Sequence, residues 1–131
     1  MKPEEKARVK IDKWLAEAGW KVINRDEFEA DSSAVAVREA LLKGNKEADY
    51  FLFINGKAVG VLEAKREEID VAQQIVCDQA EGYARGVPSY YTAFQKPLPF
   101  IYTSNGKHHY CRDYREEDSI YKEISVMHKP K

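Results

Sequence analysis

Asp49-Tyr50-Phe51-Leu52-Phe53-Ile54-Asn55-Gly56-Lys57-Ala58-Val59-Gly60-Val61-Leu62-Glu63-Ala64-Lys65 is the stretch whose reading decides the fold. Two apolar runs, Tyr50 to Ile54 and Ala58 to Leu62, flank Asn55-Gly56, the dipeptide that best tolerates the left-handed backbone of a tight hairpin turn. Both runs are apolar at consecutive positions, so they read as central strands covered on both faces. The period of two along a strand puts Val59, Val61, Glu63 and Lys65 on one face, with the carboxylate and the ammonium at the strand's end. Asp49 stands just before the first run, and an antiparallel hairpin returns it to the neighbourhood of Glu63. Two carboxylates and a lysine converge.

That convergence carries a condition. A strict two-residue turn pairs Ile54 with Lys57, and the same register carries Asp49 opposite Leu62, which sends Asp49 and Glu63 to opposite faces. A shared face needs either a three-residue loop with Gly56 left-handed or a bulge lower in the ladder.

Towards the N-terminus, Ala34 to Leu42 mixes the β-branched Val35 and Val37 with helix formers from Arg38 onward, and it reads as a strand on balance. Asn24 to Ser33 is a polar loop, and Trp20, Val22 and Ile23 form a short strand. Before them Ala7, Ile11, Trp14, Leu15 and Ala18 recur at intervals of three and four, the stripe of an amphipathic helix that opens on Pro3 and stops at Gly19. Towards the C-terminus, Glu67 to Arg85 is read as a second helix with Ile69, Ala72, Val76, Gln79 and Tyr83 on one face and Gly86 and Pro88 beyond its end. That face should pack on the sheet and bury the tips of Gln79 and Tyr83 beside the carboxylates. Ser89 to Pro97 is a loop, and Phe100 to Thr103 and His108 to Cys111 are two strands joined through Ser104-Asn105-Gly106. The order implies an α/β or α+β fold, a sheet flanked by helices.

A chain of 131 residues fits a single domain, residues 1-131. Its 21 basic and 22 acidic residues nearly cancel, so any attraction for nucleic acid has to come from a local patch such as Lys43, Lys46, Lys65 and Arg66. Cys77 and Cys111 are too far apart and too few for a disulfide framework or a zinc site, and reduced thiols suit a cytoplasmic protein. Met1 to Arg8 leads into no apolar signal core, and no apolar run is long enough to span a bilayer, so no membrane partner is expected. His108-His109 reads as a strand-end pair facing opposite ways rather than as metal ligands. Tyr90 and Tyr91 read as packing residues.

Phosphodiester hydrolysis needs a divalent cation that polarises the phosphoryl group and activates water, and hard oxygen ligands suit magnesium, with manganese left open. Asp49 and Glu63 supply such ligands, and the backbone carbonyl of Ala64 is a third. Lys65 can orient the nucleophile and stabilise charge on phosphorus. As bare spacing the same residues also fit solvated strand ends.

Glu-Ala-Asp49-Tyr, Val-Leu-Glu63-Ala-Lys65-Arg and Gln79-Ala-Glu-Gly-Tyr83 together resemble the PD-(D/E)XK nuclease superfamily, in the branch with a Gln-x-x-x-Tyr motif found in the N-terminal nuclease domain of type I restriction enzyme motor (R) subunits. Glu4, Arg8, Ile11-Asp12, Leu15 and Ala18-Gly19-Trp20 resemble that family's opening helix, Pro97 to Tyr102 its later strand, and Ser125 to Pro130 the segment leading to helicase domains. The resemblance implies an α/β fold with a restriction-endonuclease-like core, a central mixed β-sheet flanked by helices, and an endonuclease acting on double-stranded DNA. Its implied catalytic set is Asp49, Glu63, Lys65, Gln79 and Tyr83, with Glu4, or Glu5 in its place, as the first-helix acid; its metal ligands are Asp49, Glu63 and Ala64, holding Mg2+. The implied partners are helicase-like motor domains of the parent chain and methyltransferase and specificity subunits. ATP would act only through that motor, since this sequence has no Gly-x-x-x-x-Gly-Lys-Ser/Thr loop, and the chain is expected to be a fragment of a larger subunit. Ala48 stands where the superfamily motif has Pro. Two alternatives remain: a structure-selective nuclease like the Holliday-junction resolvases, and a non-catalytic module that binds DNA or subunits.

Overall fold

The Asn55-Gly56 hairpin is the centre of a mixed sheet. In this computed structural model, which describes residues 2–28, 33–41, 47–88, 91–95, 97–116 and 119–130, the elements run α1 (Pro3–Glu17), β1 (Lys21–Asn24), β2 (Ala34–Leu41), β3 (Glu47–Ile54), β4 (Lys57–Ala64), α2 (Gln74–Arg85), β5 (Thr92–Ala93), β6 (Phe100–Ser104), β7 (His109–Asp113) and β8 (Lys122–Ile124). The sheet order is β1-β2-β3-β4-β6-β7-β8, with the short β5 also against β4. β1 runs parallel to β2, and β5 and β6 run parallel to β4; the other pairings are antiparallel. This is the expected α/β sandwich of a mixed sheet between helices. Lys43, Lys46 and Tyr90 lie outside the described residues, so the expected basic patch is represented only by Lys65 and Arg66.

Each helix covers one face. Ile11 and Leu15 of α1 pack with Trp20, Tyr50, Leu52, Val59, Leu62 and Tyr102. Ala80 and Ala84 of α2 pack on Phe51, Phe53, Val61 and Ile101, their small side chains letting the helix lie close to the strands. Gly19, at φ +103°, ends α1 as the sequence suggests. Close approach also fixes Gly60, where an added Cβ would stand 2.9 Å from the Phe100 carbonyl oxygen of β6.

The hairpin meets its condition by a bulge. Asn55 and Gly56 both have positive φ, at 51° and 80°, and Ile54 pairs with Lys57, so the turn is the strict two-residue form. Phe53 then pairs with Ala58 but Leu52 with Gly60, leaving Val59 as one extra residue in β4. From there Phe51 faces Val61 and Tyr50 faces Leu62. The bulge also corrects the face assigned to Val59: it packs on the α1 side, whereas Val61 packs on the α2 side. A period-of-two reading cannot see a residue that breaks the period.

The second helix is shorter than its expected span from Glu67. Residues 66–73 form turns because their carbonyls are taken by β6 and the turn after it: Thr103 Oγ1 donates to Val71 O at 2.8 Å, and Asn105 Nδ2 to Glu67 O and Ile69 O at 3.1 and 2.9 Å. Asp70 accepts from the Ala72 N–H at 2.9 Å, a local bond that competes with helix formation. The loop read over Ser89 to Pro97 contributes β5, and the charged C-terminal stretch contributes β8, a strand absent from the sequence reading.

Candidate active site

β3 and β4 deliver the two carboxylates. Continuing the ladder one step beyond Tyr50 and Leu62 sets Asp49 opposite Glu63, on the α2 face with Phe51 and Val61. Glu63 is only 3% exposed. Burial, then a hydrogen bond with Asp49, then the charge of Asp49, push its carboxyl far above the ordinary carboxylate range, against the opposing pull of Lys65 and Arg8. Asp49 is held from two sides: Arg8 Nη2 of α1 donates to Oδ1, and the Ala64 N–H donates to Oδ2 at 2.8 Å. Asp49 thus caps the end of β4 with its side chain.

These donors fit a hard divalent cation. Two carboxylates meet, and burial together with Asp49 forces Glu63 towards its neutral form, so only the Arg8 guanidinium offsets the negative charge gathered there from contact distance. A residue's N–H and C=O leave a strand on the same side, which directs the Ala64 carbonyl towards Asp49. Oxygen donors of this kind suit magnesium.

Lys65 is half-buried, one residue past β4, and its N–H donates to Ser104 O at 2.9 Å. It lines a cleft of about 290 Å³ together with Glu4 of α1 and Gln79 of α2. Three of the expected site residues, from three different elements, therefore border one opening. Gln79 is exposed rather than buried, correcting the helical face drawn from the sequence: the buried residues of α2 are Val76, Cys77, Ala80, Glu81 and Ala84, and Ala72 lies outside the helix and is exposed. The misplaced helix start had attached Ile69 and Ala72 to a stripe they do not join. Tyr83 is half-buried against the α2-side core, and its hydroxyl is pushed up first by burial and then by the charges of Glu63 and Asp49.

The acids of α1 divide. Asp12 accepts from the Tyr50 hydroxyl at 2.6 Å and from Arg38 Nη1 at 3.0 Å, so it is engaged in holding α1 to the sheet. Glu4 is exposed in the cleft, and among the described residues no three acidic, histidine or cysteine side chains gather into one cluster. Glu4 is therefore brought to Lys65 and Gln79 but not into a triad with Asp49 and Glu63. His108 is exposed and bonded to Glu123, whereas His109 is buried and bonded to Ser104, so the pair faces opposite ways as expected. Cys77 is buried, and its thiol is pushed up chiefly by burial.

Arg8 had no assigned role. Its guanidinium bridges Glu39, at 3.3 Å, to Asp49. The signal in the sequence was its place one residue after Ala7, at the edge of the buried stripe and one turn beyond Glu4, where a long cation can reach over the sheet end.

The family model described as the type I restriction enzyme EcoKI endonuclease subunit second domain matches residues 25–123. That span contains Asp49, Glu63, Lys65, Gln79 and Tyr83. Among solved structures, a fragment described as an HsdR subunit of a type I restriction enzyme from Vibrio vulnificus YJ016 is similar over 99% of this chain and 24% of that one, at 24% identity and a TM-score of 0.62. The type IIG restriction endonuclease BpuSI is similar over 88% of this chain and 11% of its own, at 18% identity and a TM-score of 0.56. At these identities the likeness is one of fold, and the chain spans about a quarter of the Vibrio chain it matches. No curated protein matches the chain.

Proposed function

The chain belongs to the family of the type I restriction enzyme EcoKI endonuclease subunit second domain, and from that premise we propose that it is a metal-dependent endonuclease domain that hydrolyses phosphodiester bonds of double-stranded DNA. The observation that carries the reading is the meeting of the half-buried Asp49 with the buried Glu63, brought opposite each other by the Val59 bulge with Lys65 at the strand's end.

Asp49, Glu63 and the Ala64 carbonyl are the residues that would hold Mg2+. When bound there, the ion supplies Lewis-acid activation of the phosphoryl group and of the attacking water. The remaining work falls to side chains. Lys65 lies on the cleft, where its ammonium meets charge as it develops on the phosphoryl oxygens. Gln79 offers an amide donor to a neighbouring phosphate or to the attacking water, and Tyr83 packs behind the acids and keeps water from them. Glu4 borders the same cleft, where a carboxylate can orient a water but would repel a phosphate, so the backbone should pass on the Lys65 and Arg66 side. Lys65 and Arg66 supply local positive charge that the neutral chain as a whole lacks.

In this reading the domain works within a parent restriction enzyme, with helicase-like motor domains delivering DNA and methyltransferase and specificity subunits choosing the site. No helix of the described residues is long and apolar enough to cross a membrane.

The test is Lys65→Ala in the assembled enzyme. Cleavage of plasmid DNA with ATP and Mg2+ should fall about a hundredfold or more, with ATP-driven movement along DNA and the unfolding midpoint unchanged. Cleavage at the parent rate would remove the catalytic reading and leave a DNA- or subunit-binding module.

A further inference from the structure

The Arg8 bridge has a consequence for how the acid pair takes up a cation. One branch of the guanidinium is given to Asp49, whose side chain is 17% exposed, and the other to Glu39, whose side chain is 59% exposed. Arg8 therefore places a positive charge on an oxygen of Asp49, while its second partner lies out towards solvent. Beyond Arg8 is an open cleft of about 450 Å³ lined by Lys2, Glu4, Glu5, Glu39 and Arg66, on the first turn of α1. The side chain thus has somewhere to go without losing Glu39.

We propose that Arg8 is a competitor for the cation position: its guanidinium neutralises Asp49 when no divalent ion is bound, and it withdraws along Glu39 into the α1 cleft when one binds. The inference rests on the metal-dependent reading above and adds a control to it. Two cationic groups cannot share one side of Asp49 without strong repulsion. If the bridge is closed in about nine of ten molecules, the apparent affinity for the ion is about tenfold weaker than that of the open site. The withdrawn guanidinium would stay neutralised by Glu39 among Glu4 and Glu5 of the cleft, clear of Asp49.

The test is calorimetric titration of Mg2+, and separately Mn2+, into the chain without DNA or nucleotide, for the parent sequence, Arg8→Met, Arg8→Lys and Asp49→Asn. Arg8→Met should bind the ion about tenfold tighter, since the competitor is gone and the stem is kept. Arg8→Lys, which replaces the fork by a point charge, should fall between Arg8→Met and the parent. Asp49→Asn should abolish the heat. If Arg8→Met lowers the unfolding midpoint below the working temperature, the Arg8→Lys comparison decides alone. Affinity that is unchanged or weaker in the Arg8 variants overturns the competitor role and makes Arg8 a positioning residue that holds Asp49 ready. Silence in the parent and in all variants overturns the metal reading itself, and this inference with it.

Discussion

Glu63 and Glu81 are both buried, at 3% and 8% exposure, and the molecule treats them in opposite ways. Glu81, on α2, is met by the Arg112 guanidinium at 3.3 Å, the Tyr114 hydroxyl, and Arg85 one turn further along at 3.9 Å. Its charge is answered by groups on β7 and the turn after it, and the result ties α2 to the far half of the sheet. Glu63 meets another acid, and burial and Asp49 force its carboxyl up against the weaker pull of Lys65 and Arg8. A buried charge without a partner opposes folding. The contrast separates an acid that helps hold the fold from one kept at a cost, and a cost of that kind is characteristic of functional sites.

The largest expected effect is on chemistry. On the proposed nuclease reading, Glu63→Gln in the assembled enzyme should lower DNA cleavage by about a thousandfold, because an amide would be a poor magnesium ligand and the charge that would gather the ion is lost. Glu81→Gln, assayed well below its melting temperature, should leave the rate within about twofold of the parent, since Glu81 does not border the Lys65 cleft. Equal losses in the two variants would dissolve the distinction between the two acids.

Stability should rank them the other way. Glu81→Gln removes the charge that Arg112 and Tyr114 bind and should cost about 1–2 kcal/mol, read as a lower denaturant midpoint with an unchanged slope. Metal-free Glu63→Gln should match or exceed the parent, because it replaces a disfavoured acid by a neutral group of the same shape. A clear loss of stability in Glu63→Gln would mean that the pair is held by a cation or by structure, not at a cost.

The two acids also differ in how readily they could be found. Glu63 could be singled out at the end of an apolar strand as Glu-x-Lys with an Asp heading the partner strand, but that spacing alone also fits solvated strand ends, and the resemblance across the chain carried the choice. The hairpin fixed the neighbourhood, and even the conflict of register was visible. The resolution was not. The two-residue turn is dictated locally by Asn55-Gly56, whereas the Val59 bulge depends on packing: Val59 fills the α1-side cluster, and Gly60 gives way to the Phe100 backbone. Glu81 could not be singled out, since its partners Arg112 and Tyr114 come from β7 and the turn after it, 31 and 33 residues on, and nothing local marks them. The start of α2 was missed for the same reason. Thr103 and Asn105 capture the carbonyls of residues 67, 69 and 71, and a periodic pattern cannot register a competitor from another part of the chain. Gln79 and Tyr83 kept their four-residue spacing, but the true stripe of α2 runs one position over and leaves Gln79 at the cleft.

The smallest effect is the pH dependence, and its sign is fixed by the direction in which the Glu63 carboxyl is shifted. A group whose folded pKa is raised binds its proton more tightly in the folded chain, so its contribution to stability is fully present below the unfolded pKa, near 4.5, and is lost as pH rises towards the folded value. The metal-free chain should therefore melt at a lower temperature at pH 8.5 than at pH 6, by about 4 °C for each kcal/mol lost. His109 shifts downward, to about 4, because it is buried. Its contribution is present above 6.5 and lost as pH falls towards 4, so the two groups oppose each other between 4.5 and 6.5 and Glu63 acts alone above 6.5. Glu63→Gln should flatten the slope above pH 6.5 and uncover, below it, the rise with pH that His109 contributes. Excess Mg2+ should flatten the alkaline slope too, since a bound cation replaces the proton between the two carboxylates. An alkaline slope that survives Glu63→Gln would assign it to another group and remove the claim that the Asp49–Glu63 pair, unlike Glu81, is held against its own charge.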